Sequence, residues 1–394
     1  MNNFEFLKLL FFAKVYQSRF LLAVYKCWKV ILRIYTNTTE LSRICSNAVI
    51  ETGIVSNDLN DLNDLNDLND LNDLNDSNDS NDRNDDSSDS SHGDKNDLTD
   101  DSSDGDKVPL LKRRTSSTSR RDGADVPISV EAIYRVDRSI LYSTKLVMER
   151  RSLESKDCDL DEVTQSILYK KKFPENESPR TPAAFVLHYC LKKISESYNL
   201  ANEINARAKT KYDSKNKLHE KKLLELWELL MPDEVLQNRV GEQWTKIGFQ
   251  GKDPSTDFRG MGMLALDDLV YYAKNYPKSA RHALNCSYHP VSWYSFATVG
   301  INITFFAVQI LRTRQLQYFL FKHKITKDVY HEFFCYLFHS FNEYWTSREP
   351  ALSIMDFERV FGQFKKNIIR ELSERKPMVL NESKDIFPPV KKEN

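Results

Sequence analysis

From Asn57 the chain repeats the triplet Asn-Asp-Leu six times, then passes through Asn-Asp-Ser into Ser/Asp-rich sequence ending at Lys107. A triplet with one isolated leucine buries too little apolar surface to offset the entropy of ordering its backbone. This stretch is therefore expected to be disordered, as a tether or spacer, and any core must come from the two pieces that flank it. It holds 18 aspartates against Arg83, Lys95 and Lys107, a net charge of −15, although the whole 394-residue chain stands at −1. The remainder is thus near +14, which favours acidic partners or anionic lipid. The carboxylates lack the glycine and terminal glutamate of a twelve-residue calcium loop, so no specific calcium site is expected. Directly after the repeat, Leu111 to Arg121 is a basic, Ser/Thr-rich run. Its Arg-Arg-Thr-Ser makes Ser116 a candidate phosphorylation site, where phosphate would cancel the local positive charge; a nuclear-import patch and simple neutralisation of the neighbouring acidic repeat are the alternative readings of the run.

Ahead of the repeat, residues 3–35 are rich in Phe, Leu, Val and Tyr, but the longest unbroken apolar run is Leu9 to Ala13. A spanning helix needs about 20 mostly apolar residues, so these interruptions argue against one, and they also argue against a cleaved signal peptide. At about 100° per residue, Lys8, Arg19, Lys26, Lys29 and Arg33 share roughly a quarter of the circumference. The segment is expected to be a basic amphipathic helix suited to an anionic membrane surface, with Tyr16, Tyr25, Trp28 and Tyr35 at the interface. Packing of the same face on the protein itself or on a partner helix is the alternative.

From Val126 helical periodicity takes over, and strand-like alternation is nearly absent, so the fold class is all-α, a helical bundle. Helices are expected over Val130–Leu153, Leu160–Lys172, Ala183–Leu200, Leu218–Leu230, Asp233–Ile247, Leu264–Tyr276, Thr326–Trp345 and Ser353–Glu374. Pro290–Gln315 is almost wholly apolar at its centre, yet Thr298, Asn302, Thr304 and Gln309 favour a central core helix over a membrane span. The expected organisation is an N-terminal amphipathic segment (1–50), an acidic linker with its basic run (51–126), a helical lead-in (127–215), a core domain (216–376) and a polar tail (377–394).

Composition and backbone chemistry become unusual together between Trp244 and Gly262, in WTKIGFQGKDPSTDFRGMG. Gly248, Gly251, Gly260 and Gly262 supply positive φ or room for another surface to approach. Asp253 followed by Pro254 is able to cap a short helical turn, and Gly260 to end it, leaving Arg259 on a stiff platform. A guanidinium is permanently charged, planar and forked, which suits carboxylates or phosphates. Two readings remain open at this point: Arg259 contacts a phosphate, or it pairs locally with Asp253 or Asp257 while the glycines let two helices meet. Lys252 is followed by Asp253, with no Ser or Thr, so the chain has no phosphate-cradling loop of its own.

Across these same residues the sequence resembles the ELMO-domain proteins, specifically the small ELMO-domain-containing subgroup, whose motif W-x-x-I-G-F-Q-G-x-D-P-x-T-D-F-R-G-M-G runs unbroken here. The likeness extends from about Leu218 to about Arg370. Members of that subgroup are GTPase-activating proteins for Arf and Arf-like GTPases, and the motif arginine is required for that activity; by resemblance that residue is Arg259. The implied protein is an activator of another protein's GTP hydrolysis, not an enzyme with substrate chemistry of its own. Its implied partner is a GTP-bound Arf or Arf-like GTPase, with Trp244, Gly248, Phe249, Gln250, Gly251, Asp253, Asp257, Phe258, Gly260 and Gly262 supporting the loop or meeting the partner. A non-catalytic adaptor that recruits a GTPase to a membrane is the competing reading.

No cofactor, metal or nucleic acid is expected. The six cysteines show no Cys-x-x-Cys or zinc spacing, and His331 and His339 are expected as packing or surface residues rather than ligands. Together these features suggest a cytoplasmic protein peripherally attached to an intracellular membrane.

Overall fold

The computed structural model describes Val15 and residues 18–53, 128–173, 181–376 and 378–380. The acidic repeat, the basic run with Ser116, nearly all of the first 17 residues and the tail beyond 380 lie outside the described residues. Thirteen α-helices and three 3-10 turns occur among the described residues, with no strand, so the chain is all-α.

The N-terminal pair is α1 (Arg19–Thr36) and α2 (Glu40–Thr52). Ser18 and Thr39 cap them, each accepting the amide three residues on. Helix α2 belongs to the folded body rather than to a separate segment, because it buries Leu41, Ile44, Cys45 and Ala48 against α3 (Val130–Leu141) and α6 (Pro182–Lys209). Between α3 and α6 run α4 (Val147–Leu153) and α5 (Leu160–Lys170). The single helix expected over Val130–Leu153 is two, because the Arg150 side chain captures the terminal carbonyls of α3, donating to Leu141 O at 2.7 Å.

The lead-in is fastened to the core by buried charge. Asp137 of α3 pairs with Arg314 and Arg138, and Arg138 donates to the Arg314 carbonyl. All three side chains are almost wholly buried, so removing any one strands the others in a low-dielectric setting.

The core is organised around α8 (Gly262–Asn275), which is buried on most of its surface and packs on α6, α7 (Lys217–Leu230), α9 (Pro277–Ser287), α10 (Phe296–Arg312) and α12 (Lys327–Thr346). Asp268 at its centre is fully buried and accepts from Thr304 Oγ1 of α10 and from the His331 ring of α12, both at 2.7 Å. Burial pushes its carboxyl pKa up despite those two partners. His331 is thus a packing residue, as is His339, whose ring meets Ser279 at 3.1 Å. The short α11 (Gln317–His323) and the closing α13 (Phe357–Ser373) complete the bundle.

Helix α10 is the expected core helix, burying Phe296, Val299, Ile303, Phe306 and Ile310, although it starts at Phe296 instead of Pro290. Its predicted first turn is a loop in which the His289 ring accepts the amides of Val291 and Ser292. Among the described residues no single helix is long and apolar enough to cross a membrane; only α10 and α11 taken together pass by composition, across a 90° bend.

Candidate functional site

The segment leading into the glycine-rich motif is not the helix expected over Asp233–Ile247. Its carbonyls are taken by side chains: the Trp227 indole of α7 donates to Glu234 O at 2.8 Å, and the segment's own Trp244 indole to Arg239 O at 2.9 Å. Gly241 N also donates to Lys252 O at 2.9 Å, closing the motif into a loop. What remains helical is one 3-10 turn, Glu242–Ile247, followed after a short connection by a second, Pro254–Arg259.

Four aromatic rings fix this pair of turns to the core. Trp227 meets Trp244 at 5.4 Å, Trp244 meets Phe249 at 5.8 Å, and Phe249 meets Phe258 at 5.6 Å, all edge to face. Trp244, Phe249 and Phe258 are all buried, so they hold the loop and are not available to a partner. Gly248 and Gly262 are the two positions that demand glycine. Both have positive φ, 84° and 51°. A Cβ at Gly248 would lie 2.7 Å from Ser295 C at the start of α10, and one at Gly262 would lie 2.7 Å from Ala208 O at the end of α6. The Gly248 carbonyl in turn accepts the Thr298 amide at 3.2 Å, and the Thr210 carbonyl accepts from Met263 N at 2.8 Å.

The turn that bears Arg259 is capped as its sequence suggests. Asp253 accepts the Ser255 amide at 3.0 Å, and Pro254 occupies the first position, buried. Asp257 accepts the Gln250 amide at 2.7 Å and so ties the second turn to the connection that precedes it. Gly260 follows the turn with an ordinary right-handed φ of −82°, so the left-handed residue that redirects the chain into α8 is Gly262. At Gly251 and Gly260 an added Cβ would meet nothing within 4 Å.

Neither aspartate pairs with Arg259. The partner of Asp253 is Arg239, which sequence reasoning missed: its guanidinium reaches Asp253 at 3.0 Å, Glu220 of α7 at 2.6 Å and the Tyr212 hydroxyl at 3.4 Å. Partial burial opposes the Arg239 charge, but Glu220 and Asp253 outweigh it and raise its pKa above the usual arginine value. Burial and the bond to Glu220 likewise raise the Tyr212 phenol. The Tyr212 ring stacks on Phe258 at 5.7 Å, directly beneath the turn. Arg239 lies in Gln-Asn-Arg-Val-Gly-Glu-Gln, which has no local signature, and its partners are distant in sequence; only the fold reveals it.

Arg259 itself is exposed. Among the described residues no carboxylate stands within 4.0 Å of its guanidinium, which makes one long bond, to Thr256 O at 3.4 Å. Gln250, whose amide is held by Asp257 of the same turn, is also exposed. The arrangement is a free, planar cation at the rim of a turn braced from beneath by rings and an ion pair. It is chemically suited to an oxyanion brought from outside. Among the described residues no three His, Cys, Asp or Glu side chains converge to hold a metal ion.

The fold and the site define an all-helical module whose most distinctive surface element is one unpaired arginine on a braced turn. Residues 202–361 match the profile of the ELMO/CED-12 family. The chain is 36% identical over 264 residues to ELMO domain-containing protein 2 of Bos taurus, covering 66% of this chain and 88% of that protein. It is 35% identical over 272 residues to ELMO domain-containing protein 1 of Mus musculus, covering 64% and 80%. With ELMO domain-containing protein B of Dictyostelium discoideum it shares 32% over 243 residues, 61% of this chain and 84% of the other. The chain belongs to the ELMO/CED-12 family, within its ELMO domain-containing proteins.

Proposed function

We propose that the chain is a GTPase-activating protein for an Arf or Arf-like small GTPase in its GTP-bound form, acting through Arg259 supplied in trans. The observation that carries this reading is the freedom of the Arg259 guanidinium on an otherwise fully braced turn. A small GTPase brings its own phosphate loop, magnesium and water-positioning residue, and gains from a cation placed against the transferring phosphoryl group. Preorganisation makes that cation effective, because the backbone of the turn is already ordered when the partner arrives and only the Arg259 side chain is left to be fixed. Gly251 and Gly260, where the fold leaves room for a side chain, are on this reading the positions at which a partner's backbone comes close. Gln250, Asp253 and Asp257 then aim the turn.

Attachment to an anionic membrane is part of the same proposal. Helix α1 buries none of its residues. It turns a half-buried stripe of Leu21, Leu22, Tyr25 and Lys29 toward the body, where Tyr25 and Lys29 both reach Glu40. Phe20, Val24, Trp28, Ile31 and Ile34 face outward, with Trp28 54% exposed, and Arg19, Lys26 and Arg33 flank them. Apolar residues outward with cations alongside is the pattern of a helix lying in a headgroup layer.

The test is single-turnover hydrolysis of GTP preloaded on a panel of Arf and Arf-like GTPases, with the full chain and Arg259→Lys side by side. An arginine of this kind is worth about 10³ to 10⁵ in rate. Acceleration by the unaltered protein and its loss in Arg259→Lys, with binding retained, is the expected result. If neither protein accelerates any GTPase yet both bind one, the chain is an adaptor and the catalytic reading is wrong.

A further inference from the structure

The braced side of the Arg259 turn is built on a stretch that the motif does not include. Tyr212, stacked beneath Phe258, and Thr210, bonded to Met263, lie in the connection between α6 and α7. From Arg207 to Lys222 that connection and its flanks carry seven Lys or Arg against Asp213 and Glu220. Both acids are occupied: Glu220 by Arg239 and Tyr212, and Asp213 by the Lys215 amide. Two of the bases, Arg207 and Lys222, share Asp267 at 2.5 Å each. The other five, Lys209, Lys211, Lys215, Lys217 and Lys221, are exposed, and among the described residues no carboxylate lies within 4.0 Å of any of them.

The corner is also shaped. Leu218 is 74% exposed among these lysines. A shallow cleft of about 480 Å³ opens between Arg207, Leu218, His219, Lys221 and Met263. Met263 stands at the start of α8, four residues beyond Arg259 in the chain, so the cleft adjoins the end of the arginine turn. The bond of Met263 to Thr210 and the stacking of Tyr212 on Phe258 tie this lysine-bearing connection to the arginine turn, so a body that covers Arg259 and extends past Met263 would meet these lysines.

We propose that Lys209, Lys211, Lys215, Lys217 and Lys221, with Leu218 at their centre, form the docking surface for an acidic face of the partner GTPase beside its nucleotide site. The inference rests on the activator reading of Arg259 and divides the work in two. Arg259 acts on the reacting phosphate and sets the maximal rate, while the lysine corner sets how readily the partner is captured. Charge complementarity fixes the sign of the partner surface. Rim charges of this kind change encounter and salt dependence more than chemistry.

The experiment titrates the full-length protein, its triple variant Lys211→Glu/Lys215→Glu/Lys217→Glu and the neutral Lys211→Gln/Lys215→Gln/Lys217→Gln against a GTP-loaded Arf or Arf-like protein. Single-turnover rates are taken at about 50 mM and about 300 mM salt, across which screening deepens markedly. The reversal variant should raise the half-saturating concentration about tenfold or more with the maximal rate within about twofold, and the neutral variant should fall between. Added salt should weaken the unaltered protein and leave the reversal variant nearly unaffected. An unchanged half-saturation in both variants overturns the proposal. So does a reversal variant that loses only its sedimentation with phosphatidylserine vesicles, since the corner would then be a lipid face. If the unaltered protein accelerates no GTPase, the activator reading fails on its own. The docking surface is then judged by direct binding of the GTP-loaded proteins, where equal binding by all three forms refutes it and weaker binding by the reversal variant supports it.

Discussion

Two arginines twenty residues apart bear on one turn, and almost nothing else about them is alike. Arg239, beneath, spends its fork on Asp253, Glu220 and Tyr212. Arg259, at the rim, donates once, at 3.4 Å, to a carbonyl of its own turn. The glycines divide along the same line: Gly248 and Gly262 are pressed against α10 and the end of α6, while Gly251 and Gly260 face open space. The inner residues are explained by the fold alone. The outer ones are not, and it is on them that the proposed activator reading rests.

The comparison breaks most decisively at Arg259. Arg259→Lys keeps the charge and loses the fork, and should lower GTPase activation about 10³-fold or more while leaving the melting temperature within a degree or so, since the residue makes no ion pair. A variant that melts early would move Arg259 to the structural side and remove the distinction.

The glycines come next. Gly262→Ala or Gly248→Ala imposes a positive φ on an L-residue and drives a methyl into backbone atoms, for a combined cost of about 3 kcal/mol or more. Gly251→Ala and Gly260→Ala should stay within about 0.5 kcal/mol of the parent in denaturant unfolding, yet slow activation if the partner's backbone approaches there. Equal destabilisation at all four positions would erase the inner and outer sides.

Arg239 sharpens the contrast from beneath. Arg239→Met leaves Glu220 and Asp253 without their shared cation and should cost about 1–3 kcal/mol in stability, with a partial loss of activation as the turn loosens. If it abolished activation without any change in melting, Arg239 would belong to the partner side.

How much of this was legible in the chain depends on how far each residue's partners lie. The cap at Asp253 and Pro254 was readable because its acceptor and donor are two residues apart. The core role of α10 was readable from its apolar centre, and the capping contact of Ser353 with Asp356, at 3.1 Å, from their spacing. The helix expected over Asp233–Ile247 fails because the indoles of Trp227 and Trp244 and the Lys252 carbonyl claim its backbone, and such claims leave no local pattern. Arg239 escaped notice for the same reason. The motif marked the segment where the glycines and the exposed arginine gather; the distinction between braced and free residues inside it needed the packing of α6, α7 and α10 around it.

The smallest effect is one of pH, and it should touch only the inner side. Burial pushes the Asp253 carboxyl up, but the Ser255 amide and Arg239 outweigh it and hold its pKa below the ordinary carboxylate value. The sign follows from proton uptake: a carboxylate with a depressed folded pKa binds fewer protons folded than unfolded just below its unfolded value of ~3.9. Its contribution is therefore whole above that pH and is lost as pH falls through the folded value. The near-ultraviolet signal of the buried Trp227–Trp244 pair should accordingly hold from neutral pH down to about 4 and weaken below it. Asp253→Asn, which has no proton to gain, should lower stability at pH 7 and flatten the acid limb. Arg259→Lys should leave that limb unchanged, because the outer arginine shares no proton with the network below it.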